Sequence, residues 1–584
     1  MDRVGVVSAS LSCGRILHLD ELEGSSTSWD LAMVGHRKRI GIFGWGIVAP
    51  KSPDVASFEK NLISGETWLE PFNGFGPDNF LVGNPQFDFS AYKEWIDQRF
   101  EPRKYAQLDT KMGNMVKYAI GAFIQALGQN PGIEEKLQEL GTQTHIYVGT
   151  GLGDLATNFR IGRDYFRAQR RWKRFWCQAE HNPRLAEFRA AGPADQDRMR
   201  REMGVPDDPV QLGKQDEHYE EAVDEWLDFW VRESPSLQDY LTRLRDIESE
   251  GIGEDIAKGK GSVIRRKASA RRKLNDHYGC PLEPWNAVEA NLLWNIPNIP
   301  AAQISMLGRI SGPAVAPIAA CSGFGTALKF GVSAIQNGEA KAAVIGMTDP
   351  EPHPLTVGSF FAARVVSQDG QVSKPFTGMR GTHVSGGACI WIIGDADYFR
   401  GLGMKTVGLE VLGVAINSDA DHIITPSQEG PQAVIQQSLD AAGVKPEEVA
   451  TWDMHATATP GDWTELQNIL SVVPGVTRLT ARKGSFGHGM SVCGGWELTA
   501  QHLGFAQGIL HPVDLEVDEI HPQIRPHHDA LVRHETLELK DRVAGKLNMG
   551  VGGVNACVIS RLWESEEAAD ADLAEIPAGD PSPA

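Results

Sequence analysis

Two kinds of apolar pattern recur along the chain: short, uninterrupted apolar runs that close on glycine, and longer stretches with apolar residues every three or four positions. Ile40, Ile42 and Phe43 form a run that ends at Gly44, Trp45 and Gly46, the signature of a strand buried on both faces. Thr144-His-Ile-Tyr-Val-Gly149 predicts a second such strand, leading into the turn Gly149-Thr-Gly-Leu-Gly153. Residues 341–346 and 387–393 predict two more. Helices are expected over 57–64 and over 111–127, where Met115, Ala119, Ala122, Phe123 and Ala126 share a face. From 407 the order repeats: strand 407–417, helix 430–442, strand 451–454, helix 464–472. Alternating buried strands and helices in two similar series predict an α/β fold built of two halves.

Residues 164–283 break this rhythm. They are charged, Trp-rich and free of strand patterns, and they predict a helical insertion. Trp172, Phe175 and Trp176, then Trp226, Phe229 and Trp230, fall at i, i+3, i+4, the spacing of a packed seam between two helices. The chain therefore divides into an N-terminal extension (1–37), a first half (38–163 and 284–404) split by the insertion (164–283), a second half (405–562) and a tail (563–584). That tail is acidic, with Pro and Ala and few large apolar residues, and is expected to be disordered.

A chain of 584 residues with 41 % hydrophobic content can bury two sizeable cores. No apolar run approaches the roughly 20 residues needed to span a bilayer, and the first residues lack the apolar stretch of a signal peptide. Seven cysteines without C-x-x-C spacing indicate free thiols in a reducing compartment, with the cytoplasm as the expected location, and no metal site. A net charge of −20 argues against nucleic acid as the partner. Two basic runs, 167–174 and 265–273, flank an acidic stretch (216–250) inside the insertion. Either they pair with that stretch or they converge into a docking patch for an acidic partner.

The sharpest chemical signal is Ala319-Ala-Cys-Ser-Gly-Phe-Gly-Thr-Ala-Leu328, an apolar run ending at Cys321 where a helix begins. The positive end of a helix dipole favours thiolate there. Two further segments carry catalytic side chains at strand ends: Asp453-Met-His-Ala-Thr-Ala-Thr-Pro-Gly-Asp462, with His455, and Arg482-Lys-Gly-Ser-Phe-Gly-His-Gly-Met490, with Lys483 and His488. One cysteine, two histidines and a lysine so placed suit acyl transfer.

These segments resemble the β-ketoacyl-acyl-carrier-protein synthases, elongating ketosynthases of the thiolase superfamily. The family's A-C-S block matches at Cys321, its H-G-T-x-T-P block at His455 to Pro460, and its K-x-x-x-G-H block at Lys483 to His488. Its C-terminal glycine signature matches at Asn548-Met-Gly-Val-Gly-Gly-Val-Asn555. Ala456 replaces the glycine after the histidine, and Val551 stands where the family has a gating phenylalanine. The resemblance implies a thiolase-like fold of two pseudo-symmetric α/β halves in five layers, here with a large helical insertion.

It also implies decarboxylative Claisen condensation of malonyl-carrier protein with an acyl group on Cys321, without a cofactor. By the same resemblance Cys321 and Val551 supply an oxyanion hole, His455 and His488 stabilise the enolate, and Glu497 orients Lys483. Leu152, Phe361 and Val551 are expected around the acyl pocket. The implied partners are acyl- and malonyl-loaded carrier protein and a second copy of the chain in a homodimer. The competing reading is a carrier-binding scaffold, or a partner subunit of a ketosynthase complex, that does no chemistry.

Overall fold

The computed structural model describes residues 37–76, 80–253, 256–423 and 427–564. The expectations placed on the N-terminal extension and on the acidic tail beyond Glu564 lie outside the described residues.

The first half comprises β1 (Ile40–Val48), α1 (Asn114–Leu127) and β2 (Thr144–Gly149), then the insertion helices α2 (Leu155–Trp176), α3 (Tyr219–Arg232), α4 (Pro235–Glu248) and α5 (Ile256–Tyr278). It resumes with α6 (Ile299–Gly308), β3 (Ala314–Val315), α7 (Gly323–Gln336), β4 (Ala342–Asp349) and β5 (Gly387–Asp395). The second half comprises β6 (Glu410–Ser418), α8 (Glu429–Ala442), β7 (Thr451–Asp453), α9 (Gly461–Val472), β8 (Arg478–Thr480), α10 (Cys493–Gln507), β9 (Val543–Gly550) and β10 (Val554–Arg561).

The first sheet has the order β1-β5-β4-β2-β3 and the second β6-β10-β9-β7-β8. Numbered within its own half, each sheet is 1-5-4-2-3. The pairings agree strand by strand: 1 with 5 and 5 with 4 are antiparallel, 4 with 2 and 2 with 3 parallel. Even the irregularity is shared, for β1 and β6 each carry a bulge against their antiparallel partner. This identity of order, direction and bulge makes the two halves pseudo-symmetric.

The bulge explains the pattern in β1. Ile40 and Ile42 face the inner core, the ladder slips at Phe43, and Trp45, Ile47 and Ala49 then continue on that same face. On the other face, a Cβ at Gly44 or Gly46 would stand 2.1 or 1.9 Å from the carbonyl oxygens of Ala126 and Ala122. The glycines let α1 lie directly on the strand. The inner core takes residues from both sheets together with α7 and α10, whereas α1 and α6 cover the outside of the first sheet and α8 and α9 that of the second. Five layers result. The helix expected over 111–127 is interrupted at Met112 and Gly113, because the Gly113 N–H is bonded to Asn295 Oδ1 at 2.6 Å and the Asp154 carboxylate packs against it.

Between Leu155 and Tyr278 the described residues form helices and turns, and α2 runs unbroken across residue 164. The aromatic residues do not meet in one seam. Trp172 and Trp176 pack with Tyr240, Leu244 and Leu274, while Trp226, Phe229 and Trp230 pack with Leu185 and Phe188. Asn182 joins the two clusters by donating to the carbonyls of Trp176 and Trp230. Much of the basic charge is paired within the insertion: Arg170 with Glu220, Arg266 with Glu250 at 2.6 Å and Arg271 with Glu248 at 2.6 Å. Among the described residues no helix is long and apolar enough to cross a membrane.

Candidate active site

The pseudo-symmetric halves bring three loops together. The first is the turn before α7. Ala320 takes φ +44°, a left-handed conformation uncommon for a residue with a Cβ, and the strain turns the chain sharply so that Cys321 projects inward. Ser322 Oγ ties the turn to the β9–β10 hairpin by donating to the carbonyls of Asn548 and Val554, at 3.1 and 2.7 Å. Gly550 lets the hairpin pack closely here, since a Cβ on it would lie 3.2 Å from the Cys321 nitrogen, tighter than an ordinary contact. The N–H groups of Val551 and of Cys321 itself face Cys321 Sγ. Both residues named for an oxyanion hole are thus brought together.

The second loop follows β7. Glu465 accepts the backbone N–H groups of His455 and Ala456 at 2.6 and 2.8 Å, and Asp462 accepts that of Thr457 at 2.8 Å. Ala456 needs no left-handed backbone, so the missing glycine costs nothing there; Ala458 does take one. The third loop follows β8 and holds Lys483 and His488. His488 Nε2 lies 3.1 Å from Cys321 Sγ, and the His455 and His488 rings meet edge to face at 5.3 Å. Cys321 Sγ and one nitrogen of each histidine all fall within 4.8 Å of one another.

Behind the histidines lies a buried ionic network that sequence reasoning foresaw only in part. Lys483 donates to Glu497 and to the His455 carbonyl. Lys546 donates to the other Glu497 oxygen at 2.8 Å and stands 3.7 Å from Asp453, which also takes Arg482 at 3.0 Å. Asn548 Nδ2 lies 3.2 Å from both Glu497 Oε2 and His455 Nδ1. Lys546 and Asn548 were missed as site residues. Their signal was a lysine and an asparagine in the otherwise apolar run Val-Ala-Gly-Lys-Leu-Asn-Met-Gly of β9. Cys493 was also missed; its thiol lies 3.8 Å from Asn548 Nδ2.

Burial dominates the titration of these groups. It pushes the Cys321 thiol up to about 11, although the Lys483 charge and the N–H groups of Val551 and Cys321 pull the other way. The expectation of a resting thiolate is therefore corrected: desolvation outweighs both the helix end and the pull of the Lys483 charge. Burial, assisted by Lys483, brings His488 down to about 3 and holds His455 well below the usual imidazole range. Burial opposes the Lys483 ammonium, but Glu497 more than compensates and keeps it charged. The site thus presents a protonated thiol, two neutral imidazoles and a fixed cation. Cys321, His455 and His488 offer a donor set of the kind zinc takes, but the ammonium of Lys483, 3.4 Å from His455 Nδ1, disfavours a dication beside it.

Leu152 packs with an apolar cluster that includes Val357, Val384 and Met490, the last only two residues from His488. Val551 is exposed in the β9–β10 turn, and Phe361 is exposed with its ring edge-on to Phe80 at 5.7 Å.

Family models for the beta-ketoacyl synthase N-terminal domain and C-terminal domain match residues 249–394 and 409–514. The first span contains Cys321; the second contains His455, Lys483, His488 and Glu497. The chain is 30 % identical over 273 residues to 3-oxoacyl-[acyl-carrier-protein] synthase I, chloroplastic, of Arabidopsis thaliana, covering 45 % of this chain and 57 % of that protein. It is 28 % identical over 277 residues to 3-oxoacyl-[acyl-carrier-protein] synthase 2 of Rhizobium meliloti, covering 46 % of this chain and 65 % of that one. In both cases less than two thirds of the relative is spanned. The structure of a beta-ketoacyl synthase from Burkholderia phymatum superposes with a TM-score of 0.60 at 18 % identity, covering 90 % of this chain and 100 % of that one, a likeness of fold.

Proposed function

We propose that this chain, which belongs to the β-ketoacyl synthase family, catalyses decarboxylative Claisen condensation of a malonyl thioester with an acyl group carried on Cys321. The observation that carries the reading is the placement of Cys321 Sγ, 3.1 Å from His488 Nε2 and facing the N–H groups of Val551 and Cys321.

In the first stage the thiol passes its proton to His488 as sulfur attacks the acyl thioester. The tetrahedral oxyanion rests on the N–H groups of Cys321 and Val551. The departing carrier thiolate takes the proton back, leaving acyl-Cys321 and free carrier thiol. In the second stage the malonyl thioester loses carbon dioxide, and its electron pair forms an enolate held by a hydrogen bond from His455. Once the His488 ring proton has moved from Nδ1 to Nε2 through solvent, His488 supplies a second one. Lys483, fixed by Glu497, favours the developing negative charge. The enolate carbon attacks the acyl-Cys321 carbonyl, the C–S bond breaks, and the thiolate so released takes up one proton from solvent water. The products are a β-ketoacyl thioester, carbon dioxide and free enzyme.

The relatives' names support an acyl carrier protein as the bearer of both thioesters. A homodimer and a reducing, cytoplasmic setting complete the proposal, the latter supported by six free cysteines among the described residues. Intact mass after incubation with an acyl-carrier thioester tests the reading: an adduct on Cys321, discharged with carbon dioxide release once malonyl-carrier is added, is expected. A scaffold would show neither.

A further inference from the structure

β9 carries two buried polar side chains, Lys546 and Asn548, two residues apart in the strand. They therefore share a face, the one toward α10, while Leu547 and Met549 join the outer core of the second half. Both reach the same atom. Lys546 donates to Glu497 Oε2 at 2.8 Å, and Asn548 Nδ2 lies 3.2 Å from it. The other oxygen, Oε1, takes Lys483. Lys546 directs a second hydrogen to the Leu547 carbonyl at 2.8 Å.

Charge balance alone does not call for Lys546. Asp453, the other carboxylate beside it, already takes Arg482 at 3.0 Å through Oδ2, and its Oδ1 stands 3.7 Å from Lys546. Glu465 and Asp462, buried nearby, accept backbone N–H groups. Without Lys546, Glu497 would still have Lys483 and Asp453 would still have Arg482. A further buried ammonium costs desolvation, so its presence asks for another reason.

That reason is the way Glu497 holds Lys483. A carboxylate with both oxygens free can offer both to one ammonium. With Oε2 taken, Lys483 is held through Oε1 alone. Its remaining hydrogens go to the His455 carbonyl and toward His455 Nδ1, 3.4 Å away.

We propose that Lys546 is a positioning residue for the decarboxylation stage: by holding Oε2 of Glu497 it keeps the Lys483 ammonium against His455. The inference rests on the condensing function proposed above. Acylation of Cys321 uses His488 and the N–H groups of Cys321 and Val551, not His455. Only the second stage therefore depends on Lys546.

The test compares parent, Lys546→Met, Glu497→Gln and the double variant in two readouts: acylation of Cys321 by intact mass, and carbon dioxide release from a malonyl-carrier thioester. Methionine keeps the length of the side chain and loses the donor. Lys546→Met should lower carbon dioxide release by roughly 10- to 100-fold, the scale on which a catalytic group displaced by about an ångström loses rate. Acylation should stay close to that of the parent. Because Lys546 acts through Glu497, adding Lys546→Met to Glu497→Gln should lower carbon dioxide release little further, so that the two losses do not add. That double variant removes one cation and one anion together. Where Lys546→Met does not fold, Lys546→Gln takes its place: its uncharged side chain is one atom shorter, reaches Oε2 less well and should show the same split. Undiminished carbon dioxide release, equal losses in the two readouts, or losses that simply add in the double variant overturn the positioning role. A parent that forms no acyl-Cys321 and releases no carbon dioxide overturns the condensing function instead.

Discussion

Asn548 Nδ2 lies 3.2 Å from His455 Nδ1, and together with the Lys483 ammonium, 3.4 Å from the same nitrogen, it decides the tautomer of the histidine. Asn548 Nδ2 also faces Glu497 Oε2, an obligate acceptor, so the amide presents its NH2 group to both. An amide N–H can only donate. Nδ1 is therefore the acceptor, and the proton of the neutral ring sits on Nε2, ready to be donated to a substrate oxygen.

Asn548→Leu, which keeps the volume and loses the nearer donor, should loosen this tautomer, leaving Lys483 alone to hold it. Malonyl decarboxylation is expected to fall by roughly 10- to 100-fold, with a smaller loss in Cys321 acylation. Carbon dioxide release and intact-mass acylation measure the two stages separately. Equal losses in a folded variant would count against the assignment.

Cys321→Ala should abolish condensation while leaving the fold intact. The pH dependence of the parent is the sharper check. With the thiol pushed up to about 11, thiolate is scarce at neutral pH. Iodoacetamide labelling of Cys321 should climb about tenfold per pH unit from 7 to 10. A plateau below pH 8 would mean that thiolate is already formed.

The sequence carried the chemistry better than its support. Cys321, His455, Lys483 and His488 were legible because each sits in a short motif at a strand end. The partners that fix them were not, because Lys546 and Asn548 read as lone polar residues inside an apolar strand. Only the strand order, which pairs β9 with β7, reveals what they face. The thiolate expectation failed for a related reason: a helix start is visible in sequence, whereas complete burial is not. In the insertion, helical spacing gave the buried aromatics correctly, but spacing along one helix does not say which other helix will cover them.

Val551→Phe should restrict the range of acyl groups accepted. Val551 lies exposed in the β9–β10 turn with its N–H toward Cys321 Sγ, so a larger side chain at the turn narrows the mouth without touching the amide. Bulky donors are expected to lose at least about tenfold in kcat/KM relative to straight-chain ones, of the order that overpacking of 1–3 kcal/mol produces. An unchanged donor profile would show that the side chain does not gate the site.

Neutralising Arg266 and Lys267 together should leave the KM for carrier-bound substrate, and its salt dependence, unchanged. Both residues already face carboxylates, Glu250 at 2.6 Å and Glu248 at 3.6 Å, so little free charge remains to steer a partner. Such exposed pairs contribute about 0–1 kcal/mol, so stability should hardly move. A rise in KM that disappears at high salt would restore the docking-patch reading of the insertion.

His502 offers the cleanest stability test, since it stands apart from the site. It is buried beside Trp391, its Nδ1 accepting the Leu409 N–H at 3.3 Å and its Nε2 lying 3.2 Å from Ser560 Oγ. Burial brings it down to about 3 in the folded state, against an ordinary value of 6.5. The sign follows from which state binds the proton. Below about 6.5 the unfolded chain protonates this histidine and the native one does not, so the stability present above 6.5 is lost as pH falls toward 3. The slope is about 1.4 kcal/mol per pH unit for one such group. His488 and His511, both near 3, act in the same direction. Glu465, pushed up to about 7, and Asp462, up to about 6, act in the opposite one, because their burial favours the native state once they are protonated. The parent's own pH curve therefore mixes both signs, and the difference between parent and His502→Gln isolates one group. Glutamine lowers stability at pH 7 through poorer packing, but it does not titrate. Denaturant unfolding at pH 6 and pH 4.5 should show the parent losing about 2 kcal/mol more than the variant over that interval. Parallel losses would mean that His502 is protonated in the folded protein at an ordinary pH.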